Sequence, residues 1–388
     1  MVDQVTTVTT QGYGSRIMSS IQGVLVGFLL FIVSFGVLFW NEGRVDLSSI
    51  AKKSIEISGT ELAKDQDGAF VSASGTVTSD ESLGDGTMFV PGKYLSISRK
   101  AEMYAWVEKK EEKKQSNTGG SETTTTTYTY VKEWTSTPQN SSSFKEPAGH
   151  QNPTLTAEAG DYQVGTLKVG VYSLDGKTVS LPGEAPVVLT TTNIVAPVGA
   201  TVSSNAVYLN NASPSNSIVG DQRVSYTALE AGFDGTVFGE LHGAKITKYT
   251  DAKGNTLYRV FTGNRSAALA TMHGEFVMML WIFRLVGFMM MWIGLSMILA
   301  PIAIILDFFP ILGSLGKTAI SIVTLAVALP LAIITIVVSA ILHSVVALLI
   351  VLALALGGIG YLMYKNKDRV KMPKMPSMSD MAGKMMGK

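Results

Sequence analysis

Hydropathy changes its period twice along the chain. Residues 21–40, IQGVLVGFLLFIVSFGVLFW, carry no charge, and a helix of that length rises far enough to cross about 30 Å of hydrocarbon. Three further apolar runs follow at 280–306, 318–342 and 344–364. Pro301 and Pro330 fall inside the second and third, where a missing N–H is expected to kink the helix. Only His343 separates the third run from the fourth, so these two should form a tight helical hairpin. A cleaved leader is the other reading of the first run. Against it, Arg16 is the only basic residue ahead of the run, and Asn-Glu-Gly-Arg follows where a small-x-small site would be needed.

Between the first and second runs the pattern becomes alternating. Aromatic residues recur at even spacing in 94–106 (Tyr104, Trp106) and 128–134 (Tyr128, Tyr130, Trp134), as in half-buried strands. These two segments read as a hairpin. Its connection, KKEEKKQSNTGGSETTTTT, reads as a solvated loop or, alternatively, a binding loop. A second hairpin joins GAKITKYT to NTLYRVFTG through Asp251-Ala252-Lys253-Gly254, with Gly254 suited to a positive φ. GTLKVGVYSLDGKTVSL, ATVSSNAVYL and VSYTAL read as further strands, and a short helix is expected around 48–56. The pattern predicts an α+β membrane protein: four transmembrane helices, one N-terminal and three C-terminal, with a large, mainly-β extracytoplasmic domain at 41–279. About 230 residues suffice for a core of its own.

Charge selects the side. The chain is formally +1, while the segment from Lys365 onward holds seven basic and two acidic residues. Basic residues close to a span mark the cytoplasmic side, so the tail at 365–388 and, with four spans, the short N-terminal segment at 1–20 are expected in the cytoplasm. The β domain, net acidic, then faces the periplasm or lumen. Arg44, Lys52 and Lys53, just after the first span, pull the other way. The balance gives no basic footprint for nucleic acid, and the absence of cysteine excludes disulfides and thiolate chemistry.

Candidate chemistry is sparse. The four histidines, His150, His242, His273 and His343, have no metal-ligand spacing, and His150, in EPAGHQNP, reads as a loop-ordering residue. Phosphate-binding, dinucleotide and nucleophile-elbow motifs are missing. Glu102, Glu108 and Glu133 read as solvated cross-strand partners of lysines such as Lys109 and Lys132 rather than an acid/base pair. Arg284, near the start of the second span, is expected to snorkel or to pair with Glu275. Gly23 and Gly27, and Gly287 and Gly294, permit close helix packing within the chain or between copies. Met278, Met279 and Met289 to Met291 offer adaptable apolar surface. The tail KMPKMPSMSDMAGKMMGK could also hold anionic lipid. No catalytic, cofactor-binding or metal residue is assigned, and no cofactor is expected.

Several segments together resemble the transmembrane protein forty-three family, also called LUMA. They are LFWNEGR, SRKAEMYAWVE, TYTYVKEW, FKEPAGHQNP, VGDQRVSYTAL and FRLVGFMMMWIGLSMIL followed by DFFP. The resemblance implies cytosolic termini, a large luminal or periplasmic domain and, for animal relatives, a place in the endoplasmic reticulum and inner nuclear membrane with roles in membrane organisation. Likeness to bacterial members implies an inner-membrane setting for this chain. The expected function is a non-enzymatic scaffold that self-associates to organise membrane, with lipids, copies of itself and other membrane proteins as partners. The alternative is a lipid- or small-molecule-binding protein with a pocket between the β domain and the helices.

Overall fold

The computed structural model describes residues 3–117, 119–308 and 313–344, and beyond them 349–350, 352–358 and 361. Along the chain lie β1 (Gln4–Gln11), α1 (Tyr13–Glu42), α2 (Leu47–Ala51), β2 (Ile55–Ser58), β3 (Phe70–Thr78), β4 (Tyr94–Ser116), β5 (Glu122–Thr135), β6 (Gly160–Gln163), β7 (Thr166–Val169) and β8 (Tyr172–Asp175). They are followed by β9 (Ala185–Pro186), β10 (Thr201–Val202), β11 (Val207–Tyr208), β12 (Gln222–Glu230), β13 (Phe233–His242), β14 (Lys245–Thr247), β15 (Tyr249–Thr250), β16 (Thr256–Leu257), β17 (Arg259–Thr262), α3 (Arg265–Asp307) and α4 (Gly313–His343).

The β domain is built on two main sheets, and the core of the second also takes in Leu95 of β4 and Leu229 of β12 from the first. One sheet runs β1-β5-β4-β12-β11-β10, with β6 beside β4 and β9 beside β12. In the other, β3, β13, β14, β8 and β7 pair in a closed circuit, flanked by β2 and β17. Closure leaves the circuit's strands no free edge and fills its interior with Val71, Val77, Leu167, Tyr172, Leu174, Val237 and Ile246. The first sheet buries Ile97, Val207, Val224 and Tyr226 around Phe89. Gly170 shows why the circuit can be so tight: its φ is +58°, and a Cβ there would strike the Gly59 carbonyl.

Among the described residues three helices are long and apolar enough to cross a membrane. α1 starts at Tyr13 rather than near 21. α3 starts at Arg265, 15 residues before the expected span, because the Asn264 side chain caps it by accepting from Ala267 N. Its first turns are part of the domain floor, where Ala268 and Met272 pack on Phe238, Leu257 and Phe261. One unbroken helix therefore carries the β domain into the membrane. Both α3 and α4 continue through their prolines. In the expected fourth span, the described residues 349–350, 352–358 and 361 are helical; the rest of that span and the tail at 365–388 lie outside the described residues.

α1 and α3 form the main seam. Gly27 and Gly294 face each other so closely that a Cβ on Gly27 would lie 2.8 Å from Gly294 O and one on Gly294 2.7 Å from Gly27 O. The glycines anticipated as packing positions thus meet within the chain, while Gly287 receives Leu38. α4 closes over this seam through Ala328 and Ala332, with Trp292 Nε1 donating to Ser321 O at 3.1 Å and Ser296 facing Thr324 at 2.9 Å.

Candidate functional site

Two regions concentrate the polar chemistry at the helices. At the junction with the β domain, each residue of Asn41-Glu42-Gly43-Arg44 meets a different environment. Asn41 Nδ2 donates to Leu280 O at 2.9 Å, and Glu42 accepts two bonds of 2.8 Å from Arg284. Gly43 leaves space for the His343 ring. The Arg44 guanidinium lies over the Trp40 and Phe283 rings. Arg284 therefore pairs, as one expectation had it, but with Glu42; Glu275 is taken by Arg259, in two bonds of 2.6 Å. A carboxylate directly across the helix seam satisfies Arg284's planar fork, whereas Glu275 lies on α3 itself and faces β17. Beside them Asp46 accepts from His273 at 2.8 Å. Burial alone would raise Asp46, but bonds from Ser48 and His273 outweigh it and lower the carboxyl.

At the opposite end of the helices lies the larger surprise. The segment expected to be a solvated loop is strand: β4 and β5 pair continuously from Met103–Thr135 to Ser116–Glu122, leaving only a short turn around Gly119 and Gly120, both at positive φ. β1, which precedes the first helix, then adds to β5 from Gln4–Thr129 to Gln11–Glu122. The turn reaches the N-terminal end of α1, where buried Arg16 donates to Gly120 O and meets Glu122 at 3.3 Å. From Arg16 to Trp40 α1 rises about 36 Å, and from Ser116 back to Trp106 β4 covers about 33 Å. The hairpin tip and the start of α1 thus meet about a bilayer's thickness away from the junction.

A cavity of about 430 Å³ fixes the depth independently. Its walls include Lys114 and Glu122 of the strands, Arg16 and Ser19 of α1, and Ser296 and Ala300 of α3. Ala300 is 16 residues beyond Arg284, or about 24 Å deeper. Lys109, Glu111 and Lys113 project from one face of β4 and Lys110, Glu112 and Lys114 from the other, since strand side chains alternate. Both faces are therefore charged. Lys110–Glu112 at 2.6 Å and Lys113–Glu111 at 3.4 Å run along β4, Lys109–Glu133 at 2.8 Å crosses to β5, and all three stay open to the surroundings. Among the described residues β4 from Lys109 to Gln115 pairs with no strand but β5, and β1 with no strand but β5, so each of these two strands keeps one edge outside the ladder.

The other anticipated residues are structural. His150 is buried, stacked on Tyr130 at 4.0 Å with its Nδ1 2.9 Å from Glu146 O. Glu108 accepts from Tyr130 Oη, and Glu133 from Lys109. Glu102 sits between Lys100 and Arg223; burial raises its carboxyl, but those two cations bring it down below the ordinary value. The three carboxylates thus go to separate partners. Sequence reading missed Asp85, the most enclosed acid described. It accepts from the backbone of Thr87, Met88 and Phe89, from Arg99 at 2.9 Å and from Tyr226 Oη at 2.7 Å. Burial works against its charge, yet the Tyr226 and backbone bonds hold it far below the usual carboxylate range. No apolar periodicity or motif marks such a residue. Among the described residues no three metal-ligating side chains come together.

The family model for transmembrane protein 43 matches residues 103–345, from the point where β4 leaves β12 to the end of α4. That is more than half of the chain. The chain belongs to the transmembrane protein 43 family. It is similar to human transmembrane protein 43, 26% identical over 354 residues covering 86% of this chain and 87% of that one. The mouse protein is 25% identical over 362 residues, with the same coverage. A Drosophila melanogaster homologue is 25% identical over 287 residues, 70% of this chain and 75% of its own. No solved structure matches. In this transmembrane protein 43 family member the matched region contains the charged hairpin, the Asp85 partners Arg99 and Tyr226 only in part, and the whole of α3.

Proposed function

We propose that this protein is a non-enzymatic membrane scaffold, in which copies associate through the three-stranded segment of β1, β5 and β4 and so organise a patch of membrane. One observation carries the reading: strands charged on both faces, each outer one with an edge outside the ladder, bring their tip against membrane-crossing helices about 24 Å deeper along α3 than Arg284. In hydrocarbon an unsatisfied backbone group costs several kcal/mol, and an isolated charge at the bilayer centre costs about 3 kcal/mol or more. Lipid is therefore the one neighbour these strands disfavour. A second copy offers paired edges, compensating charge and enclosed water. The expected setting is a bacterial inner membrane with both termini cytoplasmic and the bulk of the β domain outside.

The test is the mass of the full-length chain in nanodiscs. A particle containing two or more chains of 41.4 kDa, with association weakened when Lys110 and Glu112 are both replaced by alanine, is expected. Strictly monomeric particles at working concentration would overturn the proposal.

A further inference from the structure

The junction holds a second cavity, of about 200 Å³, between α1's end, β17 and the first turns of α3. Leu47, Phe261, Phe276 and Met279 give it apolar walls, and Arg44 is its cation. The Arg259–Glu275 pair also borders it, but those two charges cancel across their paired bonds. Arg44 differs from the neighbouring arginines. Arg284 has Glu42, Arg259 has Glu275, and Arg265 donates to Ser72 Oγ and Lys52 O. Among the described residues Arg44 makes no ion pair, and its Nη1 is buried without any acceptor.

We infer that this cavity is a binding site for a phosphate group, supplied by the headgroup of a membrane lipid, with Arg44 as the residue that holds it. A guanidinium that lines a cavity without a carboxylate partner suits an anion, and phosphate oxygens match its fork. Depth favours lipid as the source. Arg44 follows the last turn of α1, level with the aromatic rings of Trp40 and Phe283, which is the headgroup zone flanking a span. Met279, immediately before the span, forms a wall on the side where glycerol and acyl chains would leave. The site also accounts for a basic residue on the side of the membrane where the positive-inside bias disfavours it. This site stands apart from self-association, since none of its residues belongs to the three-stranded segment.

The test uses the full chain in a maltoside detergent, which brings no phosphate of its own. Three probes are compared by native mass spectrometry and melting shift: dioctanoyl phosphatidylglycerol, dioctanoylglycerol and inorganic phosphate. The phospholipid is expected to bind at least about tenfold more tightly than dioctanoylglycerol, the gain of one charge-assisted bidentate contact. Arg44→Gln should remove that advantage, Arg44→Lys should restore part of it, and Lys52→Gln, an exposed charge nearby, should leave it. Equal binding of the phospholipid and dioctanoylglycerol, or unchanged binding by Arg44→Gln, would overturn the inference. Inorganic phosphate binding as tightly as the lipid would keep the phosphate site and assign it to the free ion. Should Arg44→Gln fail to fold, Met279→Trp, which keeps the cation and fills the cavity, must show the same loss of lipid; retention there overturns the site.

Discussion

Glu42–Arg284 and Lys110–Glu112 are ion pairs beside the same helices, yet they are built in opposite ways. Glu42 is 4% exposed and accepts from Nε and Nη2 along one edge of the Arg284 guanidinium. Lys110 and Glu112 are 52% and 41% exposed, two residues apart on one strand and joined by a single contact. Asp85 and Arg16, enclosed like Glu42, are likewise surrounded by partners. The hairpin charges are not. The difference teaches that the hairpin charges are kept for an environment outside the single chain, either water or another copy, whereas the junction charges hold the chain itself together.

The largest effect is expected where enclosure is most complete. Asp85→Ala removes the acceptor shared by Arg99, Tyr226 and three backbone N–H groups, and leaving a buried cation without its partner costs about 3–5 kcal/mol. Thermal or denaturant unfolding of the domain should show that loss at neutral pH. Its pH dependence carries a sign. The carboxyl sits lower in the folded state than in the unfolded chain, so its contribution is present above the unfolded value near 3.9 and is lost as pH falls below it. The gap between wild type and Asp85→Ala should therefore narrow in acid. A constant gap from pH 7 to 2 would mean that the charge is not what the cluster holds.

How far this contrast was legible in the sequence depends on period. Spans were readable because about 20 apolar residues have few other uses, and the strands around Tyr104, Trp106 and Tyr130 because aromatics alternate there. The charged part of β4 was not, since lysine and glutamate appear on both of its faces and leave no alternation to read. Two local signals pointed to strand: five threonines, Thr123 to Thr127, with their β-branched preference for extended backbone, and the unbroken β-branched run of β1 from Val5 to Thr10. What fixed β1 was pairing with β5, more than a hundred positions away, which no local pattern carries. The same holds for Glu42 and Arg284, partners separated by 242 positions. The start of α3 was readable, because Asn264 stands at a cap position, but the hydropathy run beginning at Leu280 masked it.

An intermediate effect is expected at the junction. Glu42→Ala should cost about 2 kcal/mol, less than Asp85→Ala, because Arg284 is partly exposed and its long stem lets the guanidinium move toward the headgroups. Arg284→Ala should cost a similar amount. The double variant should fall short of the sum by about 1 kcal/mol or more, as groups in direct contact do. Additive losses in detergent-solubilised protein would show that the two residues act separately and that the seam rests on Gly27 and Gly294 instead.

The smallest effect on stability, and the sharpest test of the contrast, belongs to the hairpin. Glu112→Ala should leave the unfolding transition essentially where it is, because an exposed pair contributes little. Its surroundings can be read directly, since the chain has no cysteine and a single introduced thiol has no competitor. Glu112→Cys, in membranes, should react with a charged, membrane-impermeant thiol reagent at a rate comparable with Lys253→Cys in the exposed turn before β16. Val26→Cys, on the outward surface of α1, should stay unreacted, because the thiolate that reacts does not form in hydrocarbon. The comparison isolates environment from distance, for Glu112 and Val26 both lie between the two ends of the helices. Fast reaction at Glu112 together with a multimeric particle places water among the associated strands. If Glu112→Cys is as inert as Val26→Cys while the pairing of β4 with β5 is intact, the strands are enclosed by dry protein, and the contact between copies would then have to bury these charges in pairs as complete as Glu42 and Arg284.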